Sequence, residues 1–121
     1  MRRNARVDTN HKQIVEGLRD VGASVVSLAA IGRGVPDLLV GYRGVNYLLE
    51  VKTAKGKLTA DQIEFTAMYN GRVFVVRDIG EAYVAIGVFT YAEYIFMQTG
   101  IKQTPLGSID DDAIAILQGK P

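Results

Sequence analysis

The sequence predicts an α/β domain whose elements run in the order αβββαβ, with further helices behind them. Three observations carry that prediction. A stripe of apolar residues at helical spacing stands near the start, two apolar strand-like segments are joined by Arg43-Gly44, and a well-capped helix leads into the Val-rich run Arg72 to Arg77. With 121 residues, 48% of them hydrophobic, the chain can bury one core and has no room for two ordinary domains. The expectation is one domain over 1–121, with a core of about 8–87 and a helical extension of about 88–121.

The first helix is predicted from about Asn10 to Val21. Ile14, Val15, Leu18 and Val21 share one face, Asn10-x-x-Gln13 reads as a capping box, and Gly22 is a natural stop. Ala23 to Leu28 then reads as a short strand. The following Gly32-Arg33-Gly34 precedes a strand rather than a helix and lacks a Lys-Ser/Thr pair, so it reads as a turn and not as a phosphate cradle. Strands are predicted at Asp37 to Tyr42 and Asn46 to Lys52, apolar enough to be covered on both faces. A Lys- and Gly-rich loop, Thr53 to Lys57, leads to a helix from Ala60 to Tyr69, with Thr59 as N-cap and Thr59-x-x-Gln62 as its capping box. Asn70-Gly71 ends it, and Arg72 to Arg77 is a strand.

Beyond Asp78 the pattern predicts a short helix near Glu81 to Ile86 and another after Thr90, where Thr90-x-x-Glu93 is a second capping box and Gly100 closes the element. A last helix is predicted from a Ser108 cap. There Asp110, Asp111 and Asp112 would sit in the electropositive first turn, which suits helix stabilisation better than metal binding.

Composition excludes several functions. There are no cysteines, so any metal must be held by oxygen ligands or by the single His11, and oxygen favours magnesium or manganese. No stretch approaches the roughly 18 to 20 apolar residues of a membrane span, and the basic start has no apolar run behind it. This predicts a cytoplasmic protein. The net charge of +1 conceals an asymmetry, because residues 1–60 carry ten Lys/Arg against five Asp/Glu and residues 61–121 carry four against eight. A polyanion would meet the first half.

The chemistry concentrates in the hairpin. With Arg43 and Gly44 as a two-residue loop, Tyr42 faces Val45, Leu39 faces Leu48 and Asp37 faces Glu50. Two carboxylates then become cross-strand neighbours, which destabilises the sheet unless a cation lies between them. Alternation puts Lys52 on the face of Glu50, while Val51 points away and offers its carbonyl oxygen. Such a set suits phosphodiester hydrolysis, with a divalent ion on the acids and Lys52 beside the reacting phosphate. The plain alternative is a charged row at a strand end. A loop one residue longer would separate the two acids onto different faces.

Gly34-Val35-Pro36-Asp37-Leu38-Leu39-Val40, Tyr47-Leu48-Leu49-Glu50-Val51-Lys52 and Leu58-Thr59-Ala60-Asp61-Gln62 together resemble the PD-(D/E)xK nuclease superfamily, and within it the VRR-NUC branch, in its stand-alone phage or prophage form. The resemblance covers about residues 8–87. It implies a restriction-endonuclease-like fold with a mixed central sheet flanked by helices, and a magnesium- or manganese-dependent DNA endonuclease. Asp37 and Glu50 would then be metal ligands, Val51 would add its carbonyl, and Lys52 would be the catalytic lysine. Gln62 matches a glutamine near the family's active centre, a role compatible with capping. The resemblance also implies a homodimer acting on branched DNA such as Holliday junctions, in a bacterial host's cytoplasm if the chain is phage-encoded. Arg33, Lys55 and Lys57 flank the motifs and are candidates for phosphate contacts, which position DNA without reading its sequence. The family usually contributes a further acid from its first helix. Here Gln13 occupies the aligned position, and Glu16, the nearest carboxylate, lies roughly 170° from the centre of the apolar face at about 100° per residue. His11 is a weaker candidate as base or ligand. A competing class is a DNA-binding module on a degenerate nuclease fold, motivated by that amide.

Overall fold

The computed structural model describes residues 5–100, with side chains from residue 9 onward. The helix expected from Ser108 lies outside the described residues. The order is α1 (Ala5–Asp20), β1 (Ser24–Ser27), β2 (Leu38–Tyr42), β3 (Val45–Val51), α2 (Ala60–Met68), β4 (Val73–Val76), α3 (Ile79–Ala85) and α4 (Tyr91–Thr99). The chain divides into two compact units, Met1–Val88 and Phe89–Pro121.

The strands form one mixed sheet in the order β1-β2-β3-β4, antiparallel through the first three and parallel between β3 and β4. Arg43 and Gly44 both take positive φ, 51° and 79°, as a two-residue hairpin turn of matching twist requires. The strain of a left-handed Arg43 is offset in part by its guanidinium, which lies 5.1 Å from the Tyr42 ring centroid. The resulting register pairs Tyr42 with Val45, Leu39 with Leu48 and Leu38 with Leu49.

α1 and α3 cover one face of the sheet. Ile14 and Leu18 from α1, Leu38, Val40, Leu49, Val51 and Val76 from the strands, and Ala82 and Ile86 at α3 form the core. Each such fully buried aliphatic chain contributes about 1.5–3 kcal/mol through removal from water. The helices meet at Gly17, where a Cβ would overlap the Ile79 side chain, and the Tyr83 hydroxyl donates to the Gly17 carbonyl at 2.7 Å. α2 behaves differently, for it buries none of its side chains and leaves Ile63 and Met68 exposed.

One element departs from expectation in a way that affects the site. α1 begins at Ala5 rather than near Asn10, so Asn10 lies inside the helix and the expected Asn10-x-x-Gln13 capping box does not form. The Asn10 amide bonds elsewhere, to the carbonyl of Lys52. The other helix signals hold. Thr59 with Gln62 and Thr90 with Glu93 form both reciprocal hydrogen bonds of a capping box, and α3 starts slightly earlier than expected because Asp78 caps it through the Glu81 N–H. In the second unit, α4 ends on Gly100 in the left-handed conformation.

Candidate active site

Asp37 sits immediately before β2 and is held on two sides. Its carbonyl accepts from the Leu28 N–H at 2.7 Å, and its carboxylate Oδ2 accepts from the Val51 N–H at 2.9 Å. The second bond is possible because of how β3 alternates. The N–H groups of Leu48 and Lys52 donate to carbonyls of Arg72 and Val76 on the β4 side, so the main-chain groups of Val51, between them in phase, face β2. The observed register, continued past Leu38 and Leu49, sets Pro36 across from Val51 and Asp37 across from Glu50. Proline has no N–H to give the Val51 carbonyl.

Glu50 is the buried charged residue among those described, at 3% exposure. A carboxylate so placed, with a second one as its cross-strand neighbour, calls for compensating positive charge. Lys52 follows on the same face, half-buried, while Val51 turns into the core. Among the described residues no group of three or more acidic or histidine side chains converges. The oxygen atoms that could serve a hard divalent cation here are those of two carboxylates and the main chain.

The second helix approaches this region through Gly34. That residue has φ +80°, and a Cβ there would overlap the main chain of Asp61, so the loop leading to Pro36-Asp37 lies directly on the first turn of α2. Gln62 in that turn accepts from the Thr59 N–H through Oε1 at 2.9 Å, which commits its carbonyl to capping and leaves its amide N–H₂ as the group available to a ligand.

No family model and no curated protein sequence matches the chain. A solved structure described as a VRR_NUC domain does. It has a TM-score of 0.59 at 27% identity, covering 71% of this chain and 100% of its own. The chain is thus similar to a VRR_NUC domain. That likeness supports a nuclease-type domain, on the mixed sheet flanked by helices that its sequence motifs implied.

Within this domain the expected residues fall into two groups. Asp37, Glu50, Val51 and Lys52 come together at the end of the hairpin, with Gln62 on the neighbouring helix start. Glu16 and Gln13 are both exposed on α1, and Glu16 pairs with Lys12 at 3.9 Å. Glu16 and His11 line a groove with Arg19, Val25 and Ser27 instead. Arg33, with φ 57°, opens onto a groove lined by Asp61, Glu64, Phe65 and Tyr69. Lys55 and Lys57 are exposed in the loop after Lys52.

Two residues were read in the sequence only as a helix cap and a strand end, Asn10 and Arg77. Asn10, in α1, reaches the residue after β3, its Nδ2 donating to the Lys52 carbonyl at 2.9 Å. Its signal was available, because it continues the Ile14 and Leu18 stripe one turn earlier as a polar member. Arg77 follows Val76, the β4 partner of Val51, and donates to the carbonyls of Thr53 and Gly56. Nothing in its spacing announced that. No helix among the described residues is long and apolar enough to cross a membrane.

Proposed function

We propose that this domain is a nuclease of the VRR-NUC kind, a divalent-metal-dependent endodeoxyribonuclease that hydrolyses phosphodiester bonds, with Asp37, Glu50 and Lys52 at its centre. The observation that supports the reading is the hairpin register, which pairs Leu38 with Leu49 and, continued by one residue, would set Asp37 across from Glu50, with Lys52 on the face of Glu50 by alternation. Asp37 and Glu50, with the Val51 carbonyl, would hold a magnesium or manganese ion. Such an ion supplies Lewis-acid polarisation of the phosphate and easier deprotonation of water. Val51 N–H fixes Asp37 Oδ2 and so directs Oδ1 towards a ligand. Lys52 donates to the attacking water or to the non-bridging phosphate oxygen as negative charge develops there. Gln62 lends its amide N–H₂ to orient the same phosphate or water.

The substrate we infer is branched DNA, of the Holliday-junction kind, cut by a homodimer. A closed two-fold pair supplies two centres for two strands of a two-fold junction. Purified protein is to be incubated with four-way, duplex and single-stranded DNA in magnesium or manganese, beside Lys52→Ala. Cleavage of the four-way substrate by the parent alone supports the proposal. No cleavage of any substrate, with Lys52→Ala indistinguishable from the parent, removes catalysis from it.

A second reading, a DNA-binding module without hydrolysis, is favoured by one observation. α1 donates the amide of Asn10 to the Lys52 carbonyl, and one of its carboxylates, Glu16, is turned to solvent. Binding of junctions with no metal-dependent cleavage would select it.

A further inference from the structure

The segment that follows Lys52 is gripped from two elements. Asn10 donates to the Lys52 carbonyl at 2.9 Å, and Arg77 Nη1 donates to the Thr53 and Gly56 carbonyls, both at 2.7 Å. The Gly56 N–H closes a turn back onto the Thr53 carbonyl at 3.0 Å. Arg77 is itself fixed, since its main-chain N–H donates to Glu81 Oε1 at 2.7 Å, and Glu81 lies in the first turn of α3 capped by Asp78. The guanidinium thus ties both ends of a tight turn that carries Lys55 at its tip and Lys57 just beyond, both exposed. A Lys- and Gly-containing loop has no reason of its own to adopt one conformation.

We propose that Arg77 is a positioning residue that locks the Thr53–Lys57 turn, so that Lys55 and Lys57 stand as a preformed pair for two DNA phosphates beside Lys52. The DNA part rests on the nuclease reading above; the locking of the turn does not. Preformed contacts bind more tightly than the same charges on a mobile loop, because the ordering is done before the ligand arrives. Each lysine that neutralises a phosphate also steepens the dependence of affinity on salt by about 0.9 in a log–log plot.

The test compares the parent with Arg77→Lys, Arg77→Gln, Lys55→Ala/Lys57→Ala and the combination of Arg77→Lys with the lysine pair. Arg77→Lys keeps the charge but cannot serve both carbonyls in the same geometry. Trypsin digestion without DNA is the first readout. The parent resists cleavage after Lys55 and Lys57, and both Arg77 variants are cut there while their circular dichroism matches the parent. Binding of a duplex without divalent ions, read by fluorescence anisotropy, is the second. Arg77→Lys loses about tenfold in affinity, much as Arg77→Gln does, and removing the lysine pair costs far less in the Arg77→Lys background than in the parent. Parent-like trypsin resistance and affinity in Arg77→Lys would overturn the proposal, as would strict additivity with the lysine pair. Should the parent bind no DNA while the Arg77 variants are still nicked, the locked turn stands and the nuclease reading is what fails.

Discussion

The carboxylate of Asp37 accepts a hydrogen bond from the main-chain N–H of Val51 at 2.9 Å, so the acid preceding β2 is tied to the residue between Glu50 and Lys52. One side chain thereby joins both halves of the motif. The bond also sets how Asp37 meets anything placed between it and Glu50.

Asp37→Asn retains an oxygen for Val51 and removes one of two neighbouring negative charges. We expect the metal-free variant to melt no lower than the parent, and DNA cleavage to fall by about 100-fold or more, the scale on which removing a key electrostatic group acts. Asp37→Ala instead loses the bond and is less stable by about 1–2 kcal/mol. Thermal melts beside single-turnover cleavage check both, and a destabilised Asn variant would contradict the account.

Lys52→Met keeps the length and apolar stem of the side chain without its charge. Cleavage is expected to drop about 100-fold or more, with duplex affinity changed by less than about tenfold, because one lost phosphate contact is small beside a lost transition-state contact. Equal losses in binding and turnover would assign Lys52 to DNA docking alone.

Gly22 and Gly34 share positive φ but not surroundings, since open space lies above Gly22 and the main chain of Asp61 lies against Gly34. Gly22→Ala is expected to cost about 1 kcal/mol for its conformation alone. Gly34→Ala adds a backbone clash and is expected to cost about 1–3 kcal/mol more. Urea midpoints of the two variants decide this; similar values would mean that the loop and α2 part easily.

Burial, and after it the nearby Asp20 carboxylate, raise the Tyr83 phenol above its ordinary value of 10.0. A raised value in the folded state means that folding favours the protonated phenol. The stabilisation is complete below about pH 10 and is lost as pH rises through the folded value. Tyr83→Phe is expected to lose about 1 kcal/mol at neutral pH, from its bond to Gly17, and to show a shallower decline above about pH 10. Urea unfolding across that range measures it, and an unchanged alkaline slope would refute it.

Most of the sheet was legible because its signals are local. Arg43-Gly44 supplies two adjacent positive-φ residues, and once that turn is set the pairing follows from Tyr42 with Val45 back to Leu38 with Leu49. Thr59 with Gln62 and Thr90 with Glu93 mark helix starts within four residues of chain. The start of α1 was not legible in the same way. Ala5 to Thr9 holds one large apolar residue, Val7, and the hydrogen-bond partner of Asn10, Lys52, is 42 residues away. Arg77 reaches 24 and 21 residues back to Thr53 and Gly56. Such contacts exist only after the sheet has assembled, so the hairpin's register could be read directly while the residues that steady its end could not.

Pro36 has a consequence for how reliably the hairpin forms. A β-hairpin that slips by one residue turns its whole apolar row outward, and here it would also part Asp37 from Glu50. Slippage that draws β2 further along β3 must bring a residue without an N–H into the interior of the ladder, where a rung would be missing. The buried proline thus serves as a stop on the strand, and the proximity of two mutually repelling acids is protected during folding by the residue that bonds least.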